Sequence, residues 1–201
     1  MAKISTYPND NNVTLSDKLI GTDYENNNET KNFTIGSISS LILSQLNVVE
    51  VLNGYSTVNQ LPSGLNSPLQ VTFGGAQNSS SDPVMIDSLG NITFNEDGFY
   101  IVNGYGSVER QGSSGGVSIL LFRGLLNGTQ FTSTKGFHLD TPSLPSPYEV
   151  TFPFQANAGD ILTFEIMRDS SGNNNGGLYP HINSGGWSNV PSSQIVVWKV
   201  E

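Results

Sequence analysis

Residues able to carry acid–base or metal chemistry are few in this sequence, and they do not form a catalytic motif. His138 and His181 are its two imidazoles, and it contains no cysteine. The zinc-protease pattern H-E-x-x-H and the phosphate-binding pattern G-x-x-x-x-G-K-[ST] are both absent. The glycine-rich run 111–116 joins two predicted strands with no helix after it, so it predicts a turn instead of a phosphate site. The sequence therefore predicts a protein that is not an enzyme and that has no cofactor.

Carboxylates offer the one alternative chemistry, which is glycan cleavage by paired acids such as Glu149, Asp160 and Glu165. Asp160 stands at the entry to a predicted strand and is explained as a turn residue, while Glu165 alternates with apolar residues and is explained as a solvated side chain. The acidic segments 95–98 and 169–173 lack the spaced ligand series of a calcium loop. We therefore predict neither a catalytic carboxylate nor a metal site.

Aromatic residues near the C-terminus suggest binding instead of catalysis. Tyr179, His181 and Trp187 lie within a Gly- and Asn-rich stretch, where aromatic faces can stack on sugars beside amide groups that form hydrogen bonds. These three residues form the hypothetical glycan-binding site. The alternative is that Trp187 anchors its loop in the hydrophobic core.

Composition limits the partners. The chain has 201 residues, 36% of them hydrophobic and only 12% charged, and it is rich in Gly, Asn and Ser, which is typical of strands joined by polar turns. Its formal net charge of -9 repels phosphate backbones, so nucleic acid is not expected as a partner. No segment resembles a signal peptide or a membrane helix, so neither export by the general secretory route nor a membrane partner is expected.

The N-terminal residues 1–50 are predicted to be an attachment segment. Residues 1–33 are polar and have too few apolar side chains to bury a core, so an extended segment is expected. A short helix follows, capped by Thr34, with apolar residues at three- and four-residue steps. Its apolar stripe needs a partner, which is its own domain, a three-helix contact between copies, or a docking surface. The predicted docking residues are Leu19, Ile20, Phe33, Ile35, Ile38, Leu41 and Ile42.

The rest of the chain is predicted to be all-β. Residues 51–68 are interpreted as a linker, and residues 69–201 as a jelly-roll β sandwich, because short strand patterns bounded by turn residues recur to the C-terminus. The predicted strands are 69–74, 83–87, 91–95, 98–108, 117–123, 129–133, 147–155, 160–168 and 194–200. Segments 170–177 and 142–147 are predicted loops.

Two predicted strands are apolar on both faces, which bears on assembly. Residues 98–102 and 195–200 do not alternate, although a sandwich strand in a monomer needs only one apolar face. Burial against symmetry mates explains the second face, and coverage by a loop or by the N-terminal helix is the alternative. The predicted contacts of a homotrimer are Phe99, Tyr100, Ile195, Val197 and Trp198.

The C-terminal two-thirds resembles the trimeric jelly rolls of tumour necrosis factor and of complement globular heads. The resemblance lies in residues 90–101 (GNITFNEDGFYI), in residues 156–164 (ANAGDILTF), in the strand 119–123 followed by Asn127-Gly128, and in a strand at the chain's end. Residues 187–193 depart from the pattern that precedes the last strand in that family. The resemblance implies a trimer-forming jelly roll.

The N-terminal third separately resembles the leader of many tailed-phage structural proteins. The matching residues are 16–23 (SDKLIGTD) and 30–34 (TKNFT), which precede the brief helix. This resemblance implies a virion protein, assembled in the host cytoplasm, that is a head-fibre, decoration or tail-fibre subunit docked on capsid or tail proteins. The alternative function is a lectin-like tip that recognises host-surface glycan.

Overall fold

The computed structural model describes residues 14–16, 18–23, 29–45, 48–112, 116–181 and 185–200. The chain divides into two compact units, Met1–Asn47 and Val48–Glu201. No helix in the described residues has the length and apolarity needed to cross a membrane.

The first unit pairs two short strands and ends in a helix. Strands β1 (Lys18–Asp23) and β2 (Glu29–Thr34) are antiparallel, and helix α1 (Ile35–Gln45) follows. These two strands are extended backbone, which agrees with the extended segment expected before the helix, and their cross-strand hydrogen bonds satisfy polar backbone groups. The predicted cap is confirmed, since the Ser37 amide donates to Thr34 Oγ1 at 3.0 Å.

The second unit packs a seven-stranded sheet on a five-stranded sheet. Its first strands are β3 (Val48–Ser56), β4 (Leu69–Gln70), β5 (Val84–Ile86), β6 (Ile92–Phe94), β7 (Gly98–Arg110) and β8 (Ser118–Leu126). The others are β9 (Thr129–Gln130), β10 (Lys135–Leu139), β11 (Ser146–Ala156), β12 (Ile161–Arg168), β13 (Gly176–Leu178) and β14 (Ser193–Val200).

The strand order is that of a jelly roll. The first sheet runs β10-β8-β12-β6-β5, with β4 beside β12 and β9 beside β8, and the second runs β11-β7-β14-β3, with β13 beside β7. The chain crosses between the sheets from β3 to β4, from β6 to β7, from β7 to β8, from β10 to β11, from β11 to β12 and from β12 to β13, so most neighbours within a sheet are distant in sequence. The predicted fold class, a jelly-roll β sandwich, is confirmed.

The interpretation of residues 51–68 as a linker is wrong. Strand β3 pairs with β14 along its length, and Gln60 and Leu65 form further bridges to Leu178 and Arg168. The dipeptide Asn53-Gly54 inside β3 is typical of a turn, which hides the strand from a local pattern. The pairing depends on a strand more than 130 residues away, so only the folded chain reveals it.

Two other strand boundaries differ from the predictions. The strand expected at 129–133 is β9, and the chain then leaves the sheet before β10 begins at Lys135. Segment 170–177, expected to be a loop, ends in β13, which pairs with β7. Its glycines allow close backbone approach, because a Cβ on Gly177 would lie 2.9 Å from the Gln60 carbonyl oxygen.

The core lies between the sheets and is rich in phenylalanine. Phe164 is fully buried, and its ring stacks on Phe122 at a centroid distance of 5.4 Å and meets Phe73 edge-on at 5.9 Å. The apolar residues that alternate with Glu165 along β12 face this core, since Leu162, Phe164 and Ile166 are all buried. The opposite faces of the two sheets therefore point away from the core.

Candidate functional site

The side chains of β3, β7 and β14 that point away from the core form a surface, here named the outer face. Buried side chains of β7 and β14 alternate with them, so the outward positions follow from the strand pleat. The outer face comprises Val48, Glu50, Asn53, Tyr55, Phe99, Ile101, Asn103, Tyr105, Gln194, Val196, Trp198 and Val200.

The outer face has an apolar half and a polar half. At one end Phe99 stands opposite Val200, which stands opposite Val48, and Ile101 stands beside Trp198 in the next row. Phe99 is 43% exposed and Val48 is 54% exposed. These apolar side chains form one continuous patch across three strands, which we name the apolar half.

The polar half carries tyrosines and amides. Tyr105, Gln194 and Tyr55 form one row across β7, β14 and β3, and the adjacent row contains Asn103 and Asn53. Gln194 Nε2 donates to Asn53 Oδ1 at 3.0 Å. Burial, with a further contribution from the charge of Glu50, raises the pKa of Tyr105, so its hydroxyl stays protonated and able to donate.

Charged groups are rare on this surface and all are acidic. Glu50 accepts a hydrogen bond from Asn53 Nδ2 at 3.3 Å on β3. On β11, Glu149 accepts one from Asn103 Nδ2 at 3.2 Å. The outer face proper therefore carries four aromatic side chains, one carboxylate and no Lys or Arg, a composition typical of buried interfaces.

The structure divides the predicted trimer contacts between the outer face and the core. Phe99 and Trp198 lie in the apolar half. Tyr100, Ile195 and Val197 are fully buried in the core of their own domain, so the prediction that they line an interface is wrong. In strands that are apolar on both sides, composition cannot tell which residues face the core, and only sheet packing decides it.

The three predicted glycan-binding residues do not converge. Tyr179 is 7% exposed, so it cannot offer its ring to a sugar, and burial raises its pKa. His181 is exposed and pairs through its backbone with Val190. Trp187 is 80% exposed in the loop between them, so the alternative that it anchors the loop in the core is wrong.

A groove beside this loop was not predicted from the sequence. Ser188 and Asn189 of the loop line it together with Asn53, Tyr55 and Gln194 of the polar half. No lining side chain is charged, and Tyr55 is 58% exposed. Tyr55 lies in the segment interpreted as a linker, so no local signal placed it beside Ser188 and Asn189.

The predicted docking residues lie in the first unit. Leu19 is 49% exposed on β1, and Phe33, Ile35 and Ile38 are half-buried. The side chains of three others lie outside the described residues, and these are Ile20, Leu41 and Ile42. The described part of this unit therefore offers apolar side chains that are at least partly accessible.

The carboxylates considered for catalysis are separate in the structure. Asp160 accepts hydrogen bonds from the Asn157 amide and from Asn127 Nδ2, each at 2.8 Å, and these bonds lower its pKa. Glu165 forms an ion pair with Arg123 at 2.6 Å. In the described part of the chain, no group of three or more His, Cys, Asp or Glu residues could hold a metal ion.

No protein-family model and no curated protein matches this chain. Among solved structures, it is similar to the globular domain of zebrafish complement 1qA protein, with 13% identity, 77% of this chain and 96% of that chain covered, and a TM-score of 0.41. It is also similar to PRD1 vertex protein P5, with 17% identity, coverage of 77% and 99%, and a TM-score of 0.42. At these identities and TM-scores the likenesses carry no information on what this chain binds.

Proposed function

We propose that this chain is a structural subunit of a tailed-phage particle, a head-fibre, decoration or tail-fibre protein that acts by attachment and display. Its first unit docks on capsid or tail proteins, and its jelly roll forms a homotrimer. The observation that supports the homotrimer is the apolar half of the outer face. The resemblance of residues 16–23 and 30–34 to tailed-phage leaders supports the assignment to a tailed-phage particle.

The trimer is supported by the chemistry of the outer face. Its three strands span roughly 15 by 25 Å at ordinary strand and residue spacings. A soluble monomer rarely leaves a continuous apolar patch of several hundred Å² in contact with water. The chain has a net charge of -9, so contacts between copies through acidic surfaces are repulsive. The outer face carries one carboxylate and adds little to this repulsion. A second and third copy are therefore the occupants that this surface favours.

The native mass tests the proposal directly. We expect both the full chain and a truncated chain that begins at Val48 to elute as trimers in light scattering on a sizing column. A monomer in both would contradict the oligomer, and a trimer in the full chain alone would move the contact to the first unit. Immunogold labelling of phage particles from a lysate that contains the chain tests whether it is a particle subunit. Particles without label would contradict this assignment.

A second candidate function, a lectin-like tip that recognises host-surface glycan, is favoured by the exposure of Trp187. The uncharged groove next to its loop combines a tyrosine ring with side-chain amides, which together suit the apolar face and the hydroxyls of a neutral sugar. The groove lies on the polar half, so trimer contacts confined to the apolar half leave it accessible.

Replacing Trp187 by alanine is expected to weaken glycan binding by about tenfold or more, because stacking on the indole ring is lost. An array of neutral bacterial surface oligosaccharides measures the binding, and Tyr55→Ala tests the groove on the same array. The matched control is Leu89→Ala, which removes a side chain that is 66% exposed elsewhere in the unit. Unchanged binding in both test variants would remove this candidate, as would the absence of any binding by the unmodified chain.

A further inference from the structure

A cleft opens at the edge of the sandwich, beside strand β11. Its volume is about 300 Å³, at the lower end of the range of small-ligand sites. One wall is strand β11, with Phe152 and Phe154, and the other is segment 131–134, which joins β9 to β10. Phe122 of the core lies at its base. The cleft is therefore shaped for a small molecule whose body is apolar.

The walls of the cleft are preformed. Segment 131–134 is held on β8, because the Phe131 amide donates to the Gly124 carbonyl at 3.2 Å and the Gly124 amide donates to Thr132 Oγ1 at 2.7 Å. The Phe131 ring meets Phe152 edge-on at 5.3 Å and Phe154 at 5.6 Å. Hydrogen bonds on one side and ring packing on the other keep the segment in place, so a ligand meets an ordered site.

A single charge stands in the lining of the cleft, and it is positive. Lys135 is the one charged residue among those that line it. Its Nζ donates to the Glu149 backbone carbonyl at 3.1 Å, while the Glu149 carboxylate accepts from Asn103 on the outer face. Elsewhere Arg123 pairs with the carboxylate of Glu165. In a chain with 8 basic and 17 acidic residues, an ammonium placed at an apolar cleft favours an anionic group.

We infer that this cleft binds a small amphiphilic carboxylate, such as a medium-chain fatty acid. Its hydrocarbon tail packs among Phe122, Phe131, Phe152 and Phe154, and its carboxylate accepts a hydrogen bond from Lys135 Nζ. Because none of these residues belongs to the outer face or to the first unit, the inference does not depend on the proposed function.

Three probes with the same eight-carbon tail and different head groups test this inference on the full chain. These are octanoate, octan-1-ol and octyltrimethylammonium, each titrated below its aggregation concentration and followed by calorimetry and by backbone amide NMR shifts. We expect octanoate to bind most tightly, with shifts centred on residues 131–135 and 150–154. Equal affinity for the three probes, no binding of any, or shifts centred elsewhere would overturn the inference.

Variants test the two halves of the site. Lys135→Gln is expected to weaken octanoate binding by about tenfold and to leave octan-1-ol binding unchanged. Lys18→Gln makes the same charge change on an exposed residue of the first unit and is expected to change neither. Ser133→Trp places a large side chain at an exposed position of the lining and is expected to block both probes while leaving the thermal unfolding temperature unchanged. Full octanoate affinity in Lys135→Gln, or in a folded Ser133→Trp protein, would contradict the assignment.

Discussion

A chain carrying Phe99→Glu is expected to run as a monomer, at about one third of the native mass of the unmodified protein. Phe99 is 43% exposed in the single chain, so a carboxylate there stays in water when the protein is monomeric and costs the fold little. In the proposed trimer, the apolar half would instead bury one unpaired negative charge from each copy. An uncompensated buried charge costs about 3–5 kcal/mol, and the threefold symmetry repeats that cost in every subunit.

Light scattering on a sizing column measures this effect across a concentration series. Leu89→Glu is the matched control, because Leu89 is 66% exposed outside the outer face and its replacement makes the same change of charge. That variant should keep the mass of the unmodified chain. A trimeric Phe99→Glu protein with unaltered stability would show that the apolar half is not the contact between copies.

Replacing Arg168 by methionine is expected to lower the free energy of unfolding by about 2–4 kcal/mol. The guanidinium is buried and donates to three oxygens in two segments of the chain, one around Pro62 and one around residues 174–176. Arg168 Nε donates to the Gly176 carbonyl at 2.5 Å, and Nη1 donates to the Pro62 carbonyl at 2.6 Å and to Asn174 Oδ1 at 3.0 Å. Methionine fills similar space but leaves these acceptors without a donor in a place that water cannot easily reach.

Urea unfolding followed by tryptophan fluorescence measures this loss of stability. Arg123→Met is the matched control on the neighbouring strand β8, where the side chain is 39% exposed and forms an ion pair with Glu165. A pair that is exposed in this way contributes no more than about 1 kcal/mol. Arg168→Lys should also be destabilised, because an ammonium cannot reproduce the planar fork. Equal midpoints for Arg168→Met and Arg123→Met would refute the proposed role of the buried guanidinium.

The role of Arg168 explains why residues 51–68 could not be recognised as part of the sandwich from their own sequence pattern. Its bond to Pro62 and the bridge between Gln60 and Leu178 hold this segment against the sandwich. Gln60 is buried and adds side-chain bonds, donating to the Thr72 carbonyl at 3.0 Å and to Ser193 Oγ at 2.9 Å. A buried polar anchor of this kind appears in the sequence only as one more polar residue in a turn-rich stretch.

The candidate site likewise combines residues that the local sequence points to with residues that only folding brings together. The Trp187 loop was recognised from its aromatic residues and glycines, but its neighbour Tyr179 is buried, and the groove beside the loop is completed by Tyr55. The phenylalanine cleft was not predicted at all. Phe131 lies in the segment between β9 and β10, Phe152 lies on β11 of the other sheet, and no spacing along the chain relates them.

Local sequence determined the features that depend on neighbouring residues. Thr34 caps the helix because its hydroxyl reaches an amide three residues away, and Leu162, Phe164 and Ile166 face the core because alternate strand residues point the same way. Turn residues between short apolar runs likewise determined an all-β sandwich. Tertiary structure alone decided which face of β7 and β14 is buried, since both faces are apolar and a one-residue change of register exchanges them. It also brought β3 to β14, because that pairing lowers the free energy only after the intervening chain has folded.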